Sequence, residues 1–175
     1  MPPLNSNLDL RELSLRGGER VERQVPVQIG SITLGGLPYD TLVDGDVAVV
    51  SVARISGGFL ITVEMAAQVY GPCFRCLREV VLTVNAEQEE FVPQDPSEWG
   101  AEDLSPFIED LVVDVNGIGR EALVLALPPK VLCRDECSGL CPGCGLDLND
   151  GRCDCATESI DQRWEKLRGL SDPCP

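Results

Sequence analysis

Histidine is missing from all 175 residues. Its absence removes the Cys–His and Ser–His dyads that most often activate a nucleophile. It also takes imidazole out of any metal site, leaving thiolates and carboxylates as ligands. Aromatic residues make up only 5% of the chain, so aliphatic side chains must fill the core; Val, Leu and Ile crowd its middle, which favours strands. No apolar run approaches the roughly eighteen residues that a membrane span needs. The opening stretch, MPPLNSNLDLREL, has neither the basic nor the apolar region of a secretory signal. A cytoplasmic protein with reduced thiols is therefore expected.

Basic residues are few. Fourteen Lys and Arg face 29 Asp and Glu, a net charge of −15. Lys and Arg on phosphates supply most non-specific nucleic-acid affinity, so this chain is poorly suited to gripping nucleic acid unaided. The acidity is concentrated: residues 85–117 carry ten acids and no base, whereas residues 1–25 balance four Arg against four acids. The acidic run EQEEF reads either as a solvated strand face or as a docking surface for a basic partner.

Alternation locates the sheet. Residues 8–29 read as two short extended pieces around Gly17-Gly18, with a further turn at LGGLPYD. A strand lies within residues 42–55, entered through the turn pair Asp44-Gly45. In FLITVEMAAQVY, Phe59, Ile61, Val63, Met65, Ala67 and Val69 face one way, while Thr62, Glu64 and Gln68 face the other. Residues 78–92 repeat the pattern, with Val80, Leu82, Val84 and Ala86 on one side. Three consecutive strands with short turns make an antiparallel meander. FIEDLVVDV, residues 107–115, reads as one more strand, with a helix as the alternative. A helix opens near Asn116, runs to about Leu127 and ends at Pro128-Pro129. Its apolar positions wrap nearly all round, which predicts deep burial. Ile160, Trp164 and Leu167 mark a short amphipathic C-terminal helix. The fold class is α+β, mainly an antiparallel meander with one buried helix, a Cys-rich zinc-binding lobe and that C-terminal helix. The divisions fall at 1–127, 128–157 and 158–175.

Against the missing histidine stand nine cysteines. Eight form close pairs: Cys73 and Cys76, Cys133 and Cys137, Cys141 and Cys144, Cys153 and Cys155. Cys174 is left over in the tail as a free thiol. Four pairs match two tetrahedral four-thiolate sites, and in a reducing compartment such spacing points to metal before disulfides. CPGCG is the most specific element: Pro fixes φ, and the second Gly lets the chain fold back so that backbone N–H groups face the sulfurs. One partition joins Cys141 and Cys144 to Cys153 and Cys155, and Cys73 and Cys76 to Cys133 and Cys137. The other uses Cys133 or Cys137 with Cys141 and Cys144 and leaves Cys73 and Cys76 as thiols. One or two Zn²⁺ ions are expected, with iron the alternative metal. Four-thiolate sites are closed, whereas catalytic zinc keeps an open position, so the expected role is structural and no enzyme is expected. A redox-responsive zinc regulator is the competing reading. A thioredoxin-like role for CFRC or CPGC would need a βαβ setting that a meander does not supply.

CFRCLREV, then ALVLALPPKVLCRDECSGLCPGCGLDLN, then IDQRWEKLRGL, resembles the YceD family of bacteria and plastids, the large ribosomal RNA subunit accumulation proteins. The matched elements run from residue 73 to residue 170; the first 40 residues match poorly. The resemblance implies a role in accumulation and processing of the large ribosomal RNA and in large-subunit assembly, with no known catalytic activity. It places the family's first CxxC on Cys73 and Cys76 and its later motif on Cys133, Cys137, Cys141 and Cys144, closed by Cys153 and Cys155. Implied partners are ribosomal RNA, a basic ribosomal protein of the large subunit or an assembly factor. Direct RNA contact would come from Arg75, Arg78, Lys130 and Arg134, in or beside the Cys-bearing segments.

Overall fold

The fold is that of a computed structural model, which describes residues 6–155. In chain order the strands are β1 (Asn7–Asp9), β2 (Arg20–Pro26), β3 (Ile32–Leu34), β4 (Leu37–Val43), β5 (Val47–Ile55), β6 (Gly58–Pro72), β7 (Glu79–Pro93), β8 (Ile108–Glu109) and β9 (Val112–Asp114), followed by helix α1 (Val115–Ala126). The chain is α+β and almost entirely antiparallel. The expected helix at Ile160, Trp164 and Leu167, and Cys174, lie outside the described residues.

The sheet is organised on β6. Along one edge it pairs over its whole length with β7, from Gly58 opposite Pro93 to Pro72 opposite Glu79. Its other edge is shared. Residues 58–64 pair with β5 and residues 67–70 pair with β4, so β4 and β5 lie end to end beside it. β2 extends the β5 side and β3 the β4 side. The meander β5–β6–β7 is thus present, with β4 added to it. The β3–β4 turn places Gly35 and Gly36 at φ of 59° and 82°, the left-handed pair that a tight hairpin needs.

The core is the inward face of this sheet under α1. Phe59, Ile61, Val63, Met65, Ala67 and Val69 are all buried, as are Val84 and Ala86 of β7. The outward face is less uniformly wet than the alternation suggests: Thr62 is buried opposite Ser51, whose hydroxyl accepts from Arg20.

Two expectations need correction at the helix. Its N-cap is Asp114, whose carboxylate accepts from Gly117 N at 3.0 Å. Asn116 lies inside the helix and instead pairs with the backbone of Gln28, accepting at 2.8 Å and donating at 3.0 Å. The helix is also not buried all round. Val115, Ile118, Gly119, Ala122 and Leu123 face the core, while Leu125 is 67% exposed. The apolar run there exceeds what one buried face can hold.

Residues 107–115 are not a single strand. They form the β8–β9 hairpin, turning at Asp110 and Leu111 with φ of 48° and 64°. Asp110 is a residue that tolerates this conformation, but Leu111 is not, so the sequence carries only a weak turn signal there. β1 lies against β9 to complete a three-stranded sheet.

Candidate metal centres

Two copies of one turn carry four of the eight described thiols. Cys73 to Arg78 link β6 to β7. Cys73 N donates to Arg78 O at 2.7 Å, and Leu77 N donates to Cys73 O at 3.0 Å. In the second copy Cys141 N donates to Leu146 O at 2.8 Å, and Gly145 N to Cys141 O at 2.9 Å. The fifth residue of each is left-handed, with φ of 61° at Leu77 and 75° at Gly145. CxxC folds this way because a left-handed residue after the second Cys closes two backbone hydrogen bonds around the sulfurs.

Each turn is completed by a second pair. The eight sulfurs form two groups, Cys73, Cys76, Cys133, Cys137 and Cys141, Cys144, Cys153, Cys155, with all ligand atoms of a group within 4.8 Å of one another. This is the first of the two partitions drawn from spacing; in the other, Cys133 or Cys137 would join Cys141 and Cys144. In the first group Cys73 and Cys137 Sγ lie 3.8 Å apart, and Cys76 and Cys133 Sγ 3.6 Å. A tetrahedron with metal–sulfur bonds of about 2.3 Å has edges of about 3.8 Å. Disulfide sulfurs would be about 2.0 Å apart. The donor set therefore fits a tetrahedral thiophilic ion. In the second group Cys141 and Cys153 Sγ are 3.2 Å apart.

The groups differ in setting. Cys73, Cys76 and Cys137 are buried and form a small apolar cluster with Val80, Leu132 and Leu140. In the second group only Cys141 is buried, while Cys144 and Cys155 are exposed. The first joins distant segments: Phe74 N donates to Val131 O at 2.8 Å, fixing the β6–β7 turn to the chain beyond α1.

Backbone donors prepare the sulfurs for negative charge. Burial alone would push the Cys73 thiol up, but the N–H groups of Cys76, Arg75 and Cys133 outweigh it and bring it down to about 6; Cys133 N lies 3.3 Å from the sulfur. Cys141 also falls to about 6, through the Cys153 thiol first and then the N–H groups of Cys144 and Gly143. Their partners go the other way. Burial and the neighbouring thiols push Cys133 up to about 12, and the thiols of Cys144 and Cys141 do the same to Cys155. Burial would push Cys137 up as well, but Asn149 and the Gly139 N–H outweigh it, so without metal the first group gathers charge on Cys73 and Cys137 and the second on Cys141.

The four basic residues are all engaged within the chain. Arg75 Nη1 donates to Cys137 O at 2.8 Å. Arg78 Nε pairs with Asp147 at 2.8 Å and its Nη2 pairs with Asp150, tying the first turn to the second lobe. Lys130 Nζ lies 5.1 Å from the centre of the Phe74 ring. Arg134 Nη2 donates to Asn149 Oδ1 at 2.7 Å. Asn149 is the residue that sequence reasoning missed. It also accepts from Ser138 N at 2.9 Å, and its Nδ2 points to Cys137 Sγ at 3.4 Å. The signal was present, since Asn149 ends the CPGCGLDLN run.

Comparison with known proteins adds a lineage. The family model described as large ribosomal RNA subunit accumulation protein YceD matches residues 61–171. Uncharacterized proteins of Mycobacterium bovis and Mycobacterium tuberculosis are each 33% identical over 175 aligned positions, covering 95% of this chain and 81% of the relative. The chloroplastic large ribosomal RNA subunit accumulation protein YCED homolog 1 of Arabidopsis thaliana is 30% identical over 60 residues, 34% of this chain and 19% of the relative. No solved structure matches the chain. Among the described residues no helix is long and apolar enough to cross a membrane.

Proposed function

The chain belongs to the YceD family, the large ribosomal RNA subunit accumulation proteins, and from that premise we propose that it is a cytoplasmic, non-enzymatic factor in large ribosomal RNA accumulation and large-subunit biogenesis. It acts by binding, and both four-cysteine groups hold Zn²⁺ as a structural ion. The observation that carries the reading is the family match over residues 61–171, which spans both groups. Bound zinc would offset half of the charge of four thiolates at each group and hold four chain segments together. Four thiolates fill a tetrahedral ion's coordination and leave it no place for a substrate, which supports binding over catalysis.

Ribosomal RNA, a basic large-subunit ribosomal protein or an assembly factor is the partner class. Arg75 and Arg78 are poor test positions for RNA contact, because reversing them would break the lobe's own ties. Lys130 is cleaner. Deleting the gene should lower large ribosomal RNA, and the wild-type chain should restore it. Unchanged large ribosomal RNA after deletion would end this reading. Crosslinked RNA lost on Lys130→Glu would favour RNA as the partner. Elemental analysis decides zinc against iron.

The exposure of Cys144 and Cys155 supports a second reading, a redox-responsive zinc regulator. Mild peroxide should then release zinc and change partner binding together; zinc release without altered binding would dismiss it.

A further inference from the structure

Away from the cysteines, a surface hollow of about 460 Å³ opens between the end of β7, the loop that follows it and the β8–β9 hairpin. Its walls are apolar, with Phe91, Pro93, Leu104, Ile108 and Leu111 among them. Two exposed acids, Glu109 and Asp110, stand at its border. The cation that lines it, Arg11, is already held by Asp9 through hydrogen bonds of 2.8 and 2.7 Å. The border is therefore negative overall.

The acidity continues from there along the sheet. Phe91, Glu89 and Glu87 alternate along one side of β7, so all three project from the same face. Glu87 lies directly opposite Glu64 of β6, and all three glutamates are exposed. Directly opposed like charges on a sheet destabilise it. Among the described residues no ion pair relieves this one. Trp99 closes the track at the Phe91 end, its ring centre 5.5 Å from that of Phe91 and its side chain 45% exposed. An exposed Trp beside an apolar hollow is the residue type that anchors interfaces.

We propose that this groove receives a basic peptide segment, which seats one bulky apolar side chain in the hollow and lays Lys or Arg along Glu109, Asp110 and the Glu89–Glu87–Glu64 track. Charge complementarity selects this occupant. Nucleic acid would be repelled by the border, and a second copy of a chain carrying −15 would be repelled as a whole. The surface and the chemistry of the partner need nothing from the ribosomal reading, which adds only that ribosomal protein segments are basic.

The probe is a short labelled peptide of Lys and Ala with one central Leu, titrated into the full chain and followed by fluorescence anisotropy. Matched peptides replace the Leu by Ser or every Lys by Glu, and a labelled oligouridylate serves as the RNA arm. The Leu peptide should bind and weaken with salt. Its Ser counterpart should bind about tenfold more weakly, and the Glu peptide and RNA not at all. Leu104→Ser and Glu109→Lys should each weaken the Leu peptide by about tenfold, while Glu79→Lys, an equal charge change at the far end of β7, should leave it unchanged. Glu109→Lys lies on the surface and keeps the test valid if Leu104→Ser fails to fold. Equal losses for Glu109→Lys and Glu79→Lys, indifference to the central Leu, tighter RNA binding or no peptide binding would each overturn the proposal. A ribosomal RNA defect on gene deletion without peptide binding would sink this inference and spare the ribosomal reading; peptide binding without that defect would do the reverse.

Discussion

Leu77 and Gly145 occupy the same place in two copies of one turn, each donating its N–H to the carbonyl of the Cys four residues earlier, at 3.0 and 2.9 Å. Only the glycine is suited to it. At φ of 61° Leu77 carries the left-handed penalty of a residue with a Cβ, and its side chain is 55% exposed, so packing returns little. Leu77→Gly should therefore stabilise the metal-loaded protein by about 0.5–1 kcal/mol, the left-handed penalty less the extra chain entropy of Gly. Gly145→Ala should cost about 1 kcal/mol. Urea unfolding of the two variants checks this; a destabilised Leu77→Gly would mean that the leucine makes a contact worth more than its strain.

The two sulfur groups should behave as separate sites of unequal structural weight. Cys73→Ser should lower the metal content from two ions per chain to one and destabilise the sheet, because the first group staples the β6–β7 turn to the segment beyond α1. Cys155→Ser should remove the other ion and leave the main thermal transition nearly in place. Metal-to-protein ratios and calorimetry on the same samples decide it. A single ion in the wild-type chain would refute two sites.

Acid and alkali should weaken the metal-free protein for opposite reasons. Cys73 and Cys141 titrate near 6 in the folded chain, below an ordinary thiol at about 8.5. Their contribution is complete above the ordinary range and disappears as pH falls through about 6. Cys133 and Cys155, pushed up to about 12, contribute below the ordinary range and lose that contribution as pH rises towards 12. In chelator the urea midpoint should peak between these limits. Thiolate absorbance should begin to grow near pH 6. A first thiolate appearing only in the ordinary thiol range would contradict the donor geometry around Cys73 and Cys141.

Asn149→Ala should disturb the first group without removing a ligand. The side chain joins Ser138 N, Arg134 and Cys137 Sγ in one network. Groups that orient metal ligands commonly govern affinity by about 10–100-fold. Competition with a chelator should show the first site weakened within that range and the second little changed; equal weakening of both would assign Asn149 a general folding role.

What the sequence revealed follows from the range of the interactions involved. β6 and β7 were legible because period-two burial is written into each strand, and the four cysteine half-sites because each pair is close in sequence; which pairs share a group stayed open between two partitions until the fold brought them together. The shared edge of β6 was not legible, since pairing Asp40–Val43 with Ala67–Tyr70 depends on where β5 begins to pair, at Val49 opposite Glu64. The β8–β9 hairpin stayed hidden because Asp110 is followed by Leu111, a left-handed residue with no turn signature, in an otherwise strand-like run. The outward face of α1 was misjudged because Val124 and Leu125 are apolar yet exposed. The ties from Arg75, Arg78 and Arg134 form only when the lobe is folded, so no spacing announces them.

Gly71 tests how the sheet feeds the first sulfur group. A Cβ there would stand 2.3 Å from Tyr39 Cδ1 and 2.9 Å from Pro38 O. Tyr39 is 1% exposed and cannot swing aside, and its hydroxyl donates to Pro72 O at 2.9 Å, one residue before Cys73. Gly71→Ala must therefore displace the ring, the Pro72 contact or the β4–β6 pairing. Overpacking of this kind costs about 1–3 kcal/mol, and here it should also loosen metal binding at Cys73. If the ring is the obstacle, Tyr39→Leu should relieve part of the cost, so that Ala at position 71 is cheaper in that background than in the wild type. A double-mutant cycle on unfolding free energy reads the coupling directly. Additive costs would place the clash in the Pro38 backbone and remove Tyr39 from the path between sheet and sulfur site.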